Sequence, residues 1–303
     1  RHLIHEVERH RLDRRGFIDT MLALGLPAPL AAAMLGHAGP AHAQLRNAYK
    51  PARRGGGGAL KLLWWQGPTL LNPHFAVGTK DQEAARIFYE PLAAWDNDGN
   101  LVPVLAAEIP SRANGGLAAD GKSVIWKLKR GVKWHDGKDF TADDVVFSIM
   151  KFHMELAPRA RQIFQRITEA KAIDAKTVQF TLGAPFEPFL LMFDVTSCAL
   201  VPKHIYDGTD YRTNPANQTP IGTGPFRFVE WQRGNFIRMA RFDGYWKPGQ
   251  PLLDEIIYRI IPDSQSRRLA MQQGQALLAQ ANDLEPFDIP QMEAAPNLQV
   301  IKT

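Results

Sequence analysis

The sequence predicts a mixed α/β protein. Ser123–Lys129 alternates apolar and polar residues with a period of two, which is typical of a strand with one buried face. Shortly after it, Val145, Ile149 and Phe152 recur at helical spacing. The almost wholly apolar segment Ile256–Ile261 has the composition of a strand buried on both faces. Strand and helix patterns therefore occur in one chain, and the expected fold class is mixed α/β.

The N-terminal half is predicted to contain a strand, a helix and a hairpin. Leu60–Trp65 is a short apolar strand candidate, and Asp81–Glu90 has the composition of a helix. Leu92–Trp95 and Leu101–Leu105 flank a turn sequence of Asp, Asn and Gly, which favours a hairpin.

The segment 121–152 is the most complete unit, with a strand, a tight turn and a helix start. Asp136-Gly137 favours a turn that needs a positive φ. Thr141 is followed three residues later by Asp144, just before an apolar run, which is the arrangement of a capping box. His135 lies in the turn, and we expect it at the surface.

Two more hairpins, a strand and a helix are predicted in the C-terminal half. They are Ala170–Ile173 with Thr177–Leu182, Pro220–Trp231 with Phe236–Phe242, Ile256–Ile261, and Ser264–Gln273. Ser264 is the expected N-cap of the helix, and Gly274 is the glycine expected just after its end.

The first 43 residues have the features of a removable leader. Adjacent Arg14 and Arg15 precede a moderately apolar run, Met21–Leu35, and the small-x-small pattern Ala41-His42-Ala43. The run is too short and too rich in Gly and Pro to favour spanning a bilayer. We expect a twin-arginine export signal over residues 1–43, although Sec export and an ordinary amphipathic helix stay open.

The composition is that of an exported globular protein. The chain has 303 residues, of which 45% are hydrophobic and 22% charged. Its net charge of +5 is spread along the sequence, so we expect no nucleic-acid partner. Cys198 is the single cysteine, so an intramolecular disulfide is excluded, and the predicted leader does not end at a cysteine that a lipid could modify. A periplasmic protein without a lipid anchor is the expectation.

No motif points to catalysis or to a cofactor. The histidines include no pair at metal-ligand spacing within one element. Asp143 and Asp144 are explained by helix capping, and Gly222 and Gly224 precede a strand, so they do not form a phosphate loop. Cys198 lies in an apolar run, which predicts a buried and inert thiol. We therefore expect no enzyme activity, no metal and no cofactor.

The sequence has one unusual feature, a number of aromatic residues near predicted loops. They are Trp64, Trp65, Phe75, Trp134, Tyr245 and Trp246. Aromatics at strand ends can line a ligand cleft, although each of them could instead pack in a core.

Several segments together resemble the family 5 solute-binding proteins of ABC importers, the dipeptide, oligopeptide and nickel-binding group. The matching segments are Leu71–Pro73 with Tyr89–Leu92, Trp126–Asp144, Ile221–Phe226, and Phe242–Trp246 leading to Ile256–Ile261. Their order and spacing agree with the family over nearly the whole predicted mature chain.

The resemblance implies a periplasmic binding protein type II-like fold of two lobes around a cleft, with a domain inserted in the first lobe. Residues 44–90 and 202–262 would form the first lobe, 91–201 the inserted α/β domain, and 263–303 the start of the second lobe. Family members run to about twice this mature length, and they trap ligand by closing two lobes. We therefore expect the second lobe to be largely missing, and the chain as printed to bind solute weakly or not at all.

The resemblance also implies a function. The protein would be the extracytoplasmic binding component of an ABC importer, monomeric when full length, that delivers a peptide or similar small solute to an inner-membrane permease. Nickel chelates and sugars stay open as solutes. The implied ligand-binding residues are Trp65, Gln66, Val77, Gly78 and Phe147. An exported α/β hydrolase and a non-transport ligand receptor are the alternatives.

Overall fold

The computed structural model describes residues 58–301, apart from 77, 97, 157, 195–197 and 281–282. The predicted leader, residues 1–43, and the predicted site residue Val77 lie outside the described residues. Within the described part of the chain, no helix is long and apolar enough to cross a membrane.

Short strands and helices alternate along the described chain. The strands are β1 (Ala59–Trp64), β2 (Ala93–Trp95), β3 (Leu101–Pro103), β4 (Ser123–Lys127), β5 (Ile167–Asp174), β6 (Thr177–Leu182), β7 (Phe226–Gln232), β8 (Phe236–Arg241) and β9 (Glu255–Ile260). The α-helices are α1 (Thr79–Arg86), α2 (Ala142–Phe147), α3 (Met154–Leu156), α4 (Pro158–Phe164), α5 (Lys203–Tyr206), α6 (Ser264–Gln272) and α7 (Ile289–Glu293). Short 3-10 helices lie at Pro73–Phe75, Glu187–Met192, Pro215–Asn217 and Pro286–Asp288. A π-helical segment, Ser148–His153, joins α2 to α3.

Strands that are far apart in the sequence are neighbours in one four-stranded sheet. Its order is β1-β9-β8-β7, with β1 parallel to β9 and the other pairs antiparallel. The register joins Ala59 to Glu255 and Trp64 to Ile260. A parallel pair needs a crossover connection, and here the whole intervening chain supplies it. The hairpin predicted before Phe242 is confirmed as β7 and β8.

The prediction that Ile256–Ile261 is buried on both faces is wrong. In β9, Ile256, Tyr258 and Ile260 are buried, whereas the residues between them are only half-buried. The strand pairs antiparallel with β8 on one side, and antiparallel sheets commonly bury a single face. The apolar run therefore fills one side of the sheet and partly covers the other.

A second sheet of three strands contains the strand–turn–helix unit. Its order is β4-β6-β5, and both pairings are antiparallel. Val124 of β4 lies opposite Phe180 of β6, and Trp126 lies opposite Val178. All four side chains are buried in one apolar core. The predicted strand, the hairpin of β5 and β6, and the short hairpin of β2 and β3 are thus confirmed.

Helix α2 begins at the predicted capping box. The Asp144 carboxylate accepts the backbone N–H of Thr141 at 2.8 Å. It also accepts the indole N–H of Trp134 at 3.3 Å and the backbone N–H of Lys203 at 2.9 Å. Asp144 therefore ties the preceding turn and the start of α5 to the helix that it caps.

Helix α6 is capped by a different residue from the predicted one. The sequence predicts Ser264 as N-cap, but Asp263 holds this position, and its carboxylate accepts the backbone N–H of Ser266 at 2.8 Å. Both residue types cap helices well, so the pattern alone does not separate them. Gly274 has φ +68°, which confirms it as the left-handed glycine after the helix end.

Candidate ligand-binding cleft

Glu90 is a buried carboxylate that joins three of the segments that carry the family resemblance. It accepts hydrogen bonds from the hydroxyl of Thr223 at 3.1 Å, the hydroxyl of Tyr245 at 2.8 Å and the indole N–H of Trp246 at 2.9 Å. Burial raises the pKa of Glu90, and the three donors oppose that shift. Thr223 belongs to the segment Ile221–Phe226 and the two aromatics to Phe242–Trp246, so Glu90 connects these parts of the chain.

His135 joins a fourth segment to the same place; it lies in a turn as predicted, but it is half-buried rather than at the surface. Its backbone N–H donates to the carbonyl of Gly222 at 2.9 Å, and its Nε2 lies 2.9 Å from the carbonyl oxygen of Gly224. The N–H of Gly222 in turn donates to Nδ1 at 3.2 Å. The ring is therefore neutral, with its proton on Nε2, and burial lowers the pKa of His135 to about 4.

Two glycines allow the backbone to pass closely in this region. A Cβ atom on Gly222 would lie 1.8 Å from the carbonyl oxygen of Phe88, and one on Gly224 would lie 2.2 Å from that of Ile87. The N–H of Gly224 also donates to the carbonyl of Phe88 at 2.9 Å. Only glycine fits such an approach. We call the set Glu90, His135, Gly222, Thr223, Gly224, Tyr245 and Trp246 the motif junction.

A separate open cleft lies where β1 ends. It has a volume of about 310 Å³, and we call it the β1 cleft; its lining residues are Trp64, Trp65, Gln66, Thr79, Lys80, Glu83 and Asp283. Trp65 is 43% exposed, which is a high value for so large an apolar ring. The cleft is thus built from the end of β1, the first turns of α1, and a residue far along the chain.

The tryptophan is held by a contact that the sequence does not indicate. The backbone N–H of Trp65 donates to Oδ1 of Asp283 at 3.0 Å, and the N–H of Gln280 donates to Oδ2 of the same carboxylate at 3.2 Å. Burial raises the pKa of Asp283. Next to this contact, the 277–278 segment pairs with β1, since the N–H of Leu63 donates to the carbonyl of Leu278 at 2.8 Å.

The predicted site residues are only partly brought together. Trp65 and Gln66 line the β1 cleft, and Gly78 is the N-cap of α1, directly before the lining residue Thr79. Phe147 lies elsewhere, 3% exposed in the core, with its ring 5.9 Å edge-on from that of Tyr211. A ligand contact of Phe147 stays a prediction. Sequence reasoning missed Thr79, Lys80, Glu83 and Asp283, and no motif marks them.

The other aromatics near loops have structural roles. Trp64 and Trp134 are buried, and Tyr245 and Trp246 donate to Glu90. Cys198 is buried with a raised thiol pKa, as the prediction of an inert thiol requires. Among the residues that the structure describes, no three His, Cys, Asp or Glu side chains are grouped to hold a metal ion. Of the predicted aromatics, Trp64 and Trp65 line the β1 cleft, and a ligand contact of either stays a prediction.

Comparison with known proteins identifies the family. Residues 100–303 match the family described as bacterial extracellular solute-binding proteins, family 5 Middle. The match covers more than half of the chain, and the chain belongs to this family. The prediction made from the sequence segments is confirmed.

Individual relatives agree with this assignment. The chain is 32% identical over 237 residues to the glutathione-binding protein GsiB of Pectobacterium atrosepticum, a match that covers 76% of this chain and 44% of the relative. It is similar to the oligopeptide-binding protein AppA of Bacillus subtilis in complex with a nonapeptide, with a TM-score of 0.71 and 29% identity over 83% of this chain and 48% of that one. It is also similar to the ABC transporter substrate-binding protein CtaP of Listeria monocytogenes, with a TM-score of 0.68 and 31% identity over 79% and 47%.

These matches confirm the predicted mixed α/β fold of the periplasmic binding proteins. The chain spans less than half the length of the relatives that it matches.

Proposed function

We propose that the chain is part of the solute-binding component of an ABC importer, which takes up a peptide or similar small solute and passes it to an inner-membrane permease. The observation that carries the proposal is the β1 cleft, with its exposed Trp65, in a chain of the family 5 solute-binding proteins. Two relatives are named for glutathione and for oligopeptides, which supports a peptidic solute.

The binding residues that we propose are Trp65, Gln66 and the backbone at Gly78. An exposed indole offers apolar surface with little conformational entropy to lose. The end of β1 also offers main-chain groups that could pair with an extended peptide, as in strand addition. Val77 and Phe147 stay predictions that the proposed site does not use.

The proposed domain organisation follows the family. Residues 44–90 and 202–262 would form the first lobe, 91–201 the inserted domain, and 263–303 the start of the second lobe. The separation of β1 and β7–β9 from β4–β6 into two sheets supports this division. We also propose a periplasmic location and export through the leader at residues 1–43, for which the family description as extracellular proteins is the support.

We propose a binding role without catalysis, because the relatives named above are binding proteins. An exported hydrolase has no comparable support. A non-transport receptor would bind the same solute but would not bind a permease, so a pull-down with the permease separates these two roles.

The test is an NMR titration of the isotope-labelled 303-residue chain with trialanine and with glutathione. We expect saturable shifts of the Trp65 and Gln66 amides, and NMR detects binding even at millimolar Kd, about −4 kcal/mol. Trp65→Ala should weaken binding about tenfold, or about 1.4 kcal/mol.

The matched control is Trp95→Ala, because Trp95 is 44% exposed and lies on β2. This variant should bind like the unmodified chain. Saturable shifts that lie away from the β1 cleft, or binding that Trp65→Ala leaves unchanged, would show that the proposed binding residues are wrong.

A further inference from the structure

Two histidines that belong neither to the motif junction nor to the lining of the β1 cleft meet on one carbonyl oxygen. Nε2 of His74 lies 2.7 Å from the carbonyl oxygen of Ala199, and Nε2 of His153 lies 3.1 Å from the same oxygen. The two Nε2 atoms are 3.2 Å apart. His153 is fully buried, and His74 is half-buried. We call the two rings the histidine pair.

The geometry indicates where the ring protons lie. A carbonyl oxygen only accepts, and its two lone pairs can accept two hydrogen bonds. Nδ1 of His153 is buried and has no hydrogen-bond partner among the described residues, so a proton on it would be a buried donor left unpaired. The neutral form with its proton on Nε2 satisfies the contact of each ring with Ala199.

A further proton has no favourable place on either ring. On His153 it would occupy the unpaired Nδ1, in a ring that stacks on Phe164 with the centroids 5.8 Å apart. On His74 it would place a positive charge beside His153, and the other close ring is the apolar Phe152, edge-on at 5.3 Å. Enclosure by the protein lowers the pKa of His74 to about 4. Burial, with the charge of His74, lowers the pKa of His153 well below its usual value.

The charged and titratable groups on the neighbouring elements do not offset this cost. Lys151, on the same π-helical segment, is paired with Asp207 at 3.0 Å. Glu155 and Arg161, on α3 and α4, are exposed, and Arg161 donates to the backbone carbonyl of Glu155. Cys198, next to the shared carbonyl, is a buried thiol with a raised pKa. Within the described part of the chain, no carboxylate stabilises a positive charge on either ring.

The histidine pair joins segments that are far apart in the sequence. His74 belongs to the 3-10 helix Pro73–Phe75, and His153 ends the π-helical segment Ser148–His153. The backbone N–H groups of residues 74–76 bond within their own segment, to Asn72 and Pro73. The hydrogen bonds of the His74 ring therefore connect this 3-10 helix to the other two segments.

We propose that the histidine pair is an acid-sensitive latch, which holds the 3-10 helix Pro73–Phe75 against Ala199 while both rings are neutral and releases it when a ring takes up a proton. Rings that reach water protonate as ordinary histidines, so acid favours the open form. The released segment leads to Gly78, the N-cap of α1, and to Thr79 in the lining of the β1 cleft. Acid thus loosens the segment before the cleft without unfolding the rest of the chain.

The test is hydrogen exchange followed by NMR on the 303-residue chain, between about pH 6.5 and about pH 5. The probes are the amides of residues 74–76, whose hydrogen bonds lie within the segment. After correction for the intrinsic pH dependence of exchange, the opening constant should rise at least about tenfold, because the open form binds more protons. Local opening exposes little surface, so the rise should be the same in dilute urea, whereas global unfolding increases with urea.

The double variant His74→Gln with His153→Gln tests the role of the rings. A glutamine amide can donate from the position of Nε2 and does not titrate in this range. The variant should keep the protection at about pH 6.5 and lose its pH dependence. The control His204→Gln removes a histidine that contacts Asp136 at 2.6 Å, and it should keep the acid-induced rise.

Several results would overturn the latch. They are probe amides that are already unprotected at about pH 6.5, an opening constant that does not rise with acid, a rise that depends on urea as global unfolding does, and a rise that the double variant retains. If the double variant does not fold, the pH and urea profiles of the unmodified chain decide the question.

Discussion

The motif junction and the β1 cleft differ in how many of their side chains are buried and hydrogen-bonded within the protein. In the junction, Glu90 accepts three side-chain donors, and His135 makes three hydrogen bonds to glycine backbone. In the cleft, the Trp65 ring is 43% exposed, and the lining residues Gln66 and Glu83 are not buried either. The segments that are most specific for the family therefore hold the fold together, and the residues that we propose for ligand binding lie outside them.

The largest expected effect is that of Gly222→Ala. A Cβ at this position would lie 1.8 Å from a backbone oxygen, and backbone shifts less easily than a side-chain end. We expect the free energy of unfolding to fall by about 3 kcal/mol or more, measured by urea denaturation. Gly78→Ala is the control, because its φ is extended and a Cβ there meets nothing within 4 Å. Equal stability of the two variants would contradict the close approach at the junction.

The pH dependence of stability tests whether His135 is held neutral. In the unfolded chain it protonates near pH 6.5, whereas in the folded chain burial lowers its pKa to about 4. Between these values the unfolded state binds more protons, so the free energy of unfolding falls as the pH falls. The loss is on the order of 3 kcal/mol at most. Of the charged neighbours, Arg227 acts in the same direction as burial and Asp136 against it.

His135→Gln isolates this contribution, since His74 and His153, whose pKa values are also lowered, remain in both chains. The variant should be less stable at neutral pH, and the difference should narrow as the pH falls from 6.5 to 4. Parallel curves for the two chains would show that His135 titrates normally in the fold.

Glu90→Ala should have a smaller effect, about 2 kcal/mol, because it leaves three buried donors without their acceptor. Glu90→Gln keeps one acceptor oxygen and should lose about 1 kcal/mol. Urea denaturation gives the free energy of unfolding of both variants. The control is Glu169→Ala, which changes a glutamate at an exposed site. If Glu90→Ala is as stable as this control, the three hydrogen bonds to Glu90 do not stabilise the motif junction.

The smallest expected effect on stability is that of Trp65→Ala. Its ring is exposed, so truncation should change the free energy of unfolding by less than about 0.5 kcal/mol, although we expect it to weaken peptide binding. A large loss of stability would mean that the ring is part of the core. The β1 cleft would then stabilise the fold as the motif junction does.

The local parts of the fold were predictable because neighbouring residues decide them. The alternation in Ser123–Lys129 and the capping box at Thr141 correspond to β4 and the start of α2. The pairing of β1 with β9 was not predictable, since it joins segments far apart in sequence. His135 was wrongly assigned to the surface for the same reason, because its partners Gly222 and Gly224 come from a distant loop.

The candidate site shows the same limit more strongly. Trp65 and Gln66 could be predicted from the family resemblance, but the cleft also needs Asp283, which lies 218 residues away from Trp65. Nothing in the residues around Asp283 marks it as a partner of β1.

By itself, the sequence determined the family, the local strands, hairpins and helix starts, and the aromatic residue at the end of β1. Only the tertiary structure decided that Glu90 and His135 are bonded inside a junction, and that Glu83 and Asp283 face the cleft beside Trp65. The physical reason is that backbone preferences and turn chemistry act over a few residues, whereas burial, pKa and availability for a ligand depend on groups that folding brings together from distant parts of the chain.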